Sequence, residues 1–203
     1  MEQVRWDEHY AVSDMLCSGE PNVWVEELAE SLPAGRLLDL AGGEGRNALW
    51  LASRGWDATI VDCSQSALDR ATQCAEQLPR ARGRVHVLRA DVRKHVPPRQ
   101  AYDLVLIAYL HLPRAERSAA VNLAVGAVAP GGHLMVVGHD IRNLTEGVGG
   151  PQDPELLFAP QDIVDHLAGR GLIIQEAQTR ERPVQTDRGR RTALDAVVIA
   201  SRP

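Results

Sequence analysis

Residues 36–62 constrain the fold of this chain more strongly than any other segment. A short apolar run at 36–40 is followed by a glycine-rich loop at 41–45 and then by an amphipathic stretch that continues to Arg54. A second β-branched run occupies 58–62 and ends in an aspartate. The order strand, glycine loop, helix and strand predicts a βαβ unit, in which the two strands lie parallel in one sheet.

The rest of the chain repeats this alternation of short β-rich runs and longer amphipathic runs. Strands are predicted over 85–89, 102–109, 133–137, 172–179 and 192–200, and helices over 22–32, 64–78, 113–128 and 161–170. The run YDLVLIAY at 102–109 is apolar on both faces, which is typical of a central parallel strand. The last two predicted strands, 172–179 and 192–200, are expected to pair as a β-hairpin. The whole pattern indicates an α/β sheet that is mainly parallel.

The length of 203 residues fits one domain with a substantial core. Residues 34–140 are predicted to form its ligand-binding core, and residues 161–203 a C-terminal helix followed by the hairpin. Residues 1–33 are predicted to form an arm over the mouth of the sheet. The stretch 141–160 is rich in glycine and proline and is too long for a plain connection, so we expect it to be a functional lid.

Composition and charge favour a small-molecule partner. The net charge of −5 supports neither binding to nucleic acid nor binding to an anionic membrane, and the arginine-rich turn at 187–191 is interpreted as a solvated hairpin tip. The first ten residues lack the features of a signal peptide, and no apolar stretch reaches membrane-spanning length. The cysteines lack the spacing of a structural zinc site. We expect a cytoplasmic protein, for which the oligomeric state is open and a homodimer is one option.

The glycine loop and the aspartate that follows it predict a nucleoside site. In an open parallel sheet, ligands bind at the carboxyl ends of the strands, where glycines let backbone N–H groups approach them. Gly42, Gly43 and Gly45 occupy this place after the first strand. Asp62 follows Gly45 by 17 residues at the tip of the second strand, where a carboxylate can accept hydrogen bonds from both ribose hydroxyls.

Two classes of nucleoside cofactor compete for this loop. The pattern Gly43-x-Gly45-x-x-Ala48 also satisfies the dinucleotide fingerprint of NAD-binding oxidoreductases. Asp39, however, would repel the pyrophosphate of NAD, whereas it would attract a cationic ammonium group at the same place. The acid at this position therefore favours S-adenosylmethionine.

Four stretches of the chain resemble one enzyme family. They are LLDLAGGEGRNALWLASRGWDATIVDCSQSAL (37–68), RADV (89–92), YDLVLIAYLHLP (102–113) and PGGHLMVVGHD (130–140). Together they resemble the motifs of class I S-adenosylmethionine-dependent methyltransferases, including the small tellurite-resistance-like branch. The resemblance implies a doubly wound, Rossmann-like sheet of seven strands in the order 3-2-1-4-5-7-6. The seventh strand would be antiparallel, and helices on both faces would complete three layers.

The resemblance also implies a cofactor role for residues at matching motif positions. The loop would hold the methionine part of S-adenosylmethionine, Asp62 the ribose and Asp91 the adenine amino group. The residues implied in cofactor binding are Asp39, Ala41, Gly42, Gly43, Gly45, Asp62, Cys63, Asp91, Val92 and Ala108, with Trp6 and Tyr10 of the N-terminal arm as a cover. Ala41 departs from the family, which usually has glycine there, so either the backbone tolerates a Cβ at this position or the turn is slightly wider.

The tips of the fourth and fifth strands are predicted to hold the methyl acceptor. They carry Tyr109, His111, His139 and Asp140, with His139 as the preferred general base. His111 alternatively caps the helix that follows it, and Tyr109 alternatively belongs to the core. A divalent metal on His139, Asp140 and Glu146 is a minority hypothesis, because the fourth strand ends without a carboxylate.

These residues lead to one functional hypothesis and several alternatives. We expect methyl transfer to a small polar acceptor, preferably the hydroxyl of a sugar-like alcohol, with residues 141–160 as the acceptor lid. The alternative within the family is methylation of sulfur or of a chalcogen, as in the tellurite-resistance-like branch, which needs no strong base. Outside the family, the chain would be an NAD-binding oxidoreductase or a nucleotide-binding module without catalysis.

Overall fold

The structure is a computed structural model that describes residues 20–78, 83–187 and 189–203. A seven-stranded sheet of order β3-β2-β1-β4-β5-β7-β6 forms its centre. The strands are β1 (Arg36–Leu40), β2 (Asp57–Asp62), β3 (Val85–Arg89), β4 (Tyr102–Ala108), β5 (Val128–His139), β6 (Ile173–Thr186) and β7 (Gly189–Ser201). Neighbours pair in parallel from β3 to β5, whereas β7 is antiparallel to both β5 and β6. The predicted sheet, its order and its closing hairpin are confirmed.

Helices cover both faces of the sheet. They are α1 (Val23–Glu30), α2 (Arg46–Ala52), α3 (Gln65–Ala75), α4 (Arg114–Ala127), α5 (Asn143–Glu146) and α6 (Pro160–Leu167), with a 3-10 turn at Pro154–Leu156. Ser64 caps the start of α3, because its hydroxyl accepts a hydrogen bond from the backbone N–H of Ala67. None of the helices in the described ranges is long and apolar enough to cross a membrane.

The two faces of β4 pack against different helices. Leu104 and Leu106 join a core cluster that includes residues of α1, α2 and α3, whereas Val105 and Ile107 join a cluster that includes residues of α4 and α6. Alternate residues of a strand point to opposite faces, so these clusters form two separate cores. The result is the predicted three-layer arrangement, with β4 buried on both sides.

The strands near the C-terminus are longer than predicted. β5 already begins at Val128, because Val128 pairs with Tyr102 of β4; the register then shifts over residues 129–132, and the pairing resumes between Leu104 and His133. β6 continues to Thr186, and β7 already begins at Gly189. Both strands therefore extend well beyond the apolar residues that predicted them. Backbone hydrogen bonds between the two strands of a hairpin do not require an apolar face, so the hydrophobic pattern underestimates such an extension.

Replacement of Leu106 by alanine should destabilise the fold strongly. Leu106 has no exposed surface in the central strand, and removal of a buried leucine side chain costs about 2–5 kcal/mol in the free energy of unfolding. Urea unfolding measures this loss. Val96→Ala is the control, since Val96 is 71% exposed and should change the value by less than about 0.5 kcal/mol. Equal effects of the two substitutions would contradict this placement of the core.

Candidate active site

One cavity of about 470 Å³ opens at the carboxyl ends of the parallel strands. Its walls come from the loop after β1, the start of α2 and the segments that follow β2, β3 and β4. The predicted cofactor residues that line it are Asp39, Ala41, Gly42, Asp62, Cys63, Asp91, Val92 and Ala108. The structure therefore brings together most of the residues that the sequence motifs had selected. Trp6 and Tyr10 lie outside the described residues.

Asp39 is a buried carboxylate whose oxygens make no hydrogen bond within the described part of the chain. Only 1% of its surface is exposed. Burial, together with the nearby charge of Asp62, raises the pKa of Asp39 to about 7, and the positive charge of Arg46 opposes this shift. A Cβ on Gly42 would lie 2.9 Å from Cγ of Asp39, so glycine at this position leaves the space around the acid open.

The loop after β1 has a left-handed backbone at several residues. Ala41, Gly43 and Gly45 have φ angles of 59°, 57° and 79°. Ala41 therefore adopts the conformation that glycine favours, at a cost of roughly 1–2 kcal/mol. The backbone N–H of Ala41 donates to Val61 O over 2.7 Å, which attaches the loop to β2. The alanine at this position is thus accommodated with a strained, left-handed backbone.

Asp62 holds the loop and still faces the cavity. Its Oδ2 accepts from the backbone N–H of Gly43 over 2.9 Å, and its Oδ1 accepts from that of Ser64 over 2.9 Å. Each carboxylate oxygen has a second lone pair. Asp62 can therefore keep both bonds and accept further ones from a diol.

Asp91 is bound by an arginine that the sequence motifs did not indicate. Arg93 donates from Nε to Oδ1 and from Nη2 to Oδ2, both over 2.8 Å, and also donates from Nη1 to Glu116 over 2.6 Å. These bonds lower the pKa of Asp91 below its usual value. The carboxylate is therefore ionised, and part of its accepting capacity is already used. Its contact with an adenine amino group stays a prediction.

Tyr109 follows β4 and forms part of the cavity wall. Its φ angle of 56° is unusual for a residue other than glycine. The hydroxyl donates to Asp195 Oδ2 over 2.7 Å and accepts from Asn22 Nδ2 over 3.0 Å. Burial and the charge of Asp195 raise the pKa of Tyr109. The phenol is therefore neutral and fixed in place.

His111 and His139 stack on each other beside Tyr109. Their ring centroids are 5.3 Å apart, and the backbone N–H of His139 donates to His111 Nε2 over 3.3 Å. Burial lowers the pKa of His111 to about 4 and also lowers that of His139, so both rings are neutral near pH 7. His111 lines the cavity, whereas His139 does not. A Cβ on Gly150 would overlap the ring of His139, so His139 lies between His111 and the loop.

Two predicted acceptor-side residues lie apart from this cluster. Asp140 is fully buried, and its carboxylate accepts from the Thr179 hydroxyl over 2.6 Å and from the backbone N–H of Arg142 over 2.8 Å. Glu146 is exposed and pairs with Arg142 over 2.6 Å. Neither lines the cavity, and the described residues contain no group of three acids, histidines or cysteines suited to a metal.

Asn143 attaches the predicted lid to β7. Its Oδ1 accepts from the backbone N–H of Leu194 over 2.7 Å, and its Nδ2 donates to Gly149 O over 2.8 Å. The backbone N–H of Val148 donates to Thr192 O over 3.1 Å. The loop at 147–150 is therefore held against the hairpin, in a position that covers His139.

Comparisons with known proteins place this site in a family. A model of the family described as "Methyltransferase domain" matches residues 37–132. The tRNA 5-carboxymethoxyuridine methyltransferase of Escherichia coli (strain K12) is 30% identical over 115 residues, which cover 54% of this chain and 42% of that protein. The chain therefore matches less than half of this relative's length. The family model covers just under half of the chain, and over that range the resemblance to class I S-adenosylmethionine-dependent methyltransferases is confirmed.

Solved structures share the fold over nearly the whole of this chain. TehB from Haemophilus influenzae has a TM-score of 0.71 and 17% identity, over 99% of this chain and 67% of that chain. Magnesium protoporphyrin IX methyltransferase from Synechocystis PCC 6803, solved with bound SAH, has a TM-score of 0.64 and 18% identity, over 99% of this chain and 83% of that chain. The resemblance found in the sequence is confirmed, and S-adenosylmethionine is the cofactor that this family implies.

The residues and the volume of the cavity are themselves suited to S-adenosylmethionine, independently of the comparisons. The unpaired Asp39 would hold the ammonium group of the methionine part, and Arg46, which lines the same cavity, would face the carboxylate of that zwitterion. Asp62 would accept from the ribose hydroxyls. A volume of about 470 Å³ lies within the range of small-molecule and cofactor sites.

Several residues of the site were missed by sequence reasoning. Asn22 connects two cavity residues, because its backbone N–H donates to Asn47 Oδ1 over 2.8 Å while its side chain donates to Tyr109. Arg93 had no motif to mark it. Asp195 was visible as the single charge within the apolar run ALDAVVIA, but that run was interpreted only as a strand.

Binding of S-adenosylhomocysteine should weaken as the pH falls through about 7. Asp39 becomes protonated there in the free protein, and a neutral carboxyl group cannot pair with the ligand's ammonium group. Calorimetry between about pH 8 and pH 6 should show a roughly tenfold rise in Kd. Asp39→Asn should weaken binding roughly 10- to 100-fold and remove this pH dependence. Asp103→Asn, at the opposite end of the sheet, should leave it intact.

The same Asp39→Asn substitution should stabilise the free protein at alkaline pH. The pKa of Asp39 is higher in the folded state than its ordinary value, so folding favours the protonated acid and loses stability as the pH rises from about 4 through about 7. Asparagine carries no charge and avoids this loss. Urea unfolding at about pH 8 should give a gain of roughly 2–4 kcal/mol. If the variant were less stable than the parent at that pH, this would contradict the conclusion that ionised Asp39 destabilises the folded protein.

Proposed function

We propose that this protein transfers a methyl group from S-adenosylmethionine to a small polar acceptor bound near the tips of β4 and β5. The observation that carries the proposal is the unpaired, buried carboxylate of Asp39 in a cavity whose other side is lined by Tyr109 and His111. One side of the cavity suits a cationic amino acid attached to a nucleoside. The other side presents polar rings to a second molecule.

Methyl transfer requires alignment more than reactive side chains. When bound, S-adenosylmethionine supplies a methyl group on a sulfonium, which already contains a good leaving group. The protein orients the reactants: Asp39 holds the ammonium end of the cofactor and Asp62 its ribose, and the fixed ring of Tyr109 limits where an acceptor can lie. A proton must be removed only when the acceptor atom is protonated.

A hydroxyl is the acceptor group that we propose, with His139 as general base. Burial lowers the pKa of His139, so its imidazole is neutral near pH 7 and can take a proton. The side chain is 12% exposed, and the loop at 149–150 covers it. An acceptor therefore reaches His139 only when this loop moves, which gives residues 141–160 the task of a lid.

A second candidate is methylation of a thiolate or a chalcogen oxyanion. The observation that favours it is the state of His111, the histidine that lines the cavity. Its Nε2 already accepts a hydrogen bond from His139, and its pKa is about 4, so it is a poor base. An acceptor that is already anionic needs no proton removal.

Acceptor screening with labelled S-adenosylmethionine tests the function directly. We expect methylated product from small alcohols, or from thiols under the second candidate, and none from tRNA. A tRNA product is the informative alternative, because the Escherichia coli relative is a tRNA methyltransferase, whereas the net charge here is −5. Calorimetry with S-adenosylhomocysteine and NADH accompanies the screen. Binding of NADH alone would contradict the proposal.

A pH–rate profile of His139→Ala separates the two candidates. With a hydroxyl acceptor, loss of the base should lower kcat by roughly 10²–10⁴-fold and remove the acidic limb of the profile. With a thiolate or chalcogen acceptor, the rate should change little. His86→Ala is the matched control, since His86 is exposed on the edge strand β3. Unchanged activity of His139→Ala on the true acceptor would exclude the general-base role.

A further inference from the structure

One of the buried carboxylates next to the cavity wall has no task in the cofactor half of the site. It belongs to Asp195 of β7. We propose that Asp195 is a positioning residue of the acceptor half, which orients the imidazole of His139 and fixes the hydroxyl of Tyr109. This inference rests on the proposed function, because it gives His139 the partner that a general base requires.

Asp195 is isolated within an apolar strand. Its side chain has no exposed surface, and the neighbouring residues of β7 are buried and apolar from Ala193 to Ala200. A charge in such surroundings is stable only when donors compensate for the loss of water. Packing alone would be satisfied by an apolar side chain of similar size. The carboxylate therefore indicates a role beyond packing.

Three structural elements supply donors to this carboxylate. The Trp24 indole N–H of α1 donates to Oδ2 over 2.9 Å, the Tyr109 hydroxyl donates to Oδ2 over 2.7 Å, and Arg182 of β6 donates from Nε to Oδ2 over 2.7 Å. Arg182 also donates from Nη2 to Oδ1 over 3.3 Å. Oδ2 is saturated by these bonds, whereas Oδ1 retains capacity and lies next to His139.

His139 lies opposite Asp195 in the antiparallel pairing of β5 with β7. Its Nδ1 is buried, lies 3.4 Å from Asp195 Oδ1 and makes no hydrogen bond with any described residue. The distance allows electrostatic attraction but the geometry falls short of a hydrogen bond. A carboxylate at this place stabilises a proton on Nδ1 and disfavours a lone pair there. His139 is therefore held as the Nδ1–H tautomer, with its lone pair on Nε2.

The tautomer determines what His139 can do. A general base accepts the proton at a nitrogen that has a lone pair, and a carboxylate behind the ring stabilises the imidazolium that forms. With Nδ1 directed to Asp195, Nε2 is the nitrogen left for the acceptor. The proton then moves from the acceptor hydroxyl to Nε2, and Asp195 stays ionised throughout.

Tyr109 is the second group that Asp195 fixes. Its hydroxyl lies between Asp195 and the Asn22 amide, and its backbone has the strained φ angle of 56°. A tyrosine held at both its backbone and its hydroxyl cannot turn away from the cavity. Because Trp24 binds the same carboxylate, the position of α1 and the shape of the acceptor wall depend on one residue.

The tautomer of His139 tests this inference without an identified acceptor. NMR of ¹⁵N-labelled protein reports it from the imidazole nitrogen shifts, with His139→Gln to assign the signals, and we expect Nδ1–H. In Asp195→Asn, the amide oxygen should stay with the three donors now on Oδ2. Its NH₂ group then replaces Oδ1 and donates towards Nδ1, so we expect a switch to Nε2–H. Asp103→Asn, which changes an exposed acid paired with Arg36, should leave the tautomer unchanged.

An Nε2–H tautomer in the unmodified protein overturns the inference even where Asp195→Asn does not fold. An unchanged Nδ1–H tautomer in a folded Asp195→Asn overturns it as well. Calorimetry with S-adenosylhomocysteine on the same samples distinguishes it from the proposed function. If the unmodified protein does not bind S-adenosylhomocysteine, methyl transfer is contradicted, but the tautomer result still holds. If it binds normally and His139 has the Nε2–H tautomer, only the role of Asp195 is contradicted.

Discussion

The parallel pairing of β1 with both β2 and β4 is the constraint on which the rest of the site depends. Asp39 of β1 lies opposite Ile60 of β2 and Leu106 of β4. This register brings the ends of the strands to one edge, so that the segments after them surround a common space. The cofactor acids and the acceptor rings come from distant parts of the chain, and only this pairing makes them neighbours.

The acids of the site differ mainly in how their charges are compensated. Asp62 accepts backbone N–H groups, Asp91 is paired with Arg93, and Asp195 receives donors from three elements. Asp39 has no such partner among the described residues. An uncompensated charge in a buried position costs stability, and a ligand that carries the opposite charge recovers it. The unpaired Asp39 therefore costs the free protein stability at the place where we propose that the ammonium group of the cofactor binds.

Local sequence patterns predicted the parts of the molecule that are determined locally. The glycine loop and the strand tips at Asp39 and Asp62 follow from spacing along one βαβ unit, and Asp39, Ala41, Gly42 and Asp62 line the cavity, whereas Gly43 and Gly45 do not. The fourth strand was placed at the centre of the sheet because its residues are apolar on both faces, which is also a local pattern. Family resemblance supplied the strand order, which local patterns do not determine.

The sequence could not predict contacts that depend on side-chain direction or on long-range pairing. Nothing local shows that His139 faces Asp195 across the sheet, because the register between β5 and β7 is set by the packing of the whole hairpin. Asp140 follows His139 directly, yet it points to Thr179 and away from the cavity. Adjacent residues of a strand face opposite sides, so proximity in sequence gave the wrong expectation of proximity in space.

The attachment of the predicted lid through Asn143 keeps changes in that loop apart from changes in the nucleoside site. The loop at 147–150 is held by the hairpin and covers His139 on the proposed acceptor side, while the predicted cofactor residues lie at the ends of β1, β2 and β4 and on the segments that follow β1, β2 and β3. Insertions or substitutions within the lid can therefore alter which molecule is accepted without disturbing the nucleoside site. A chain built in this way can acquire a new substrate while it keeps an old cofactor.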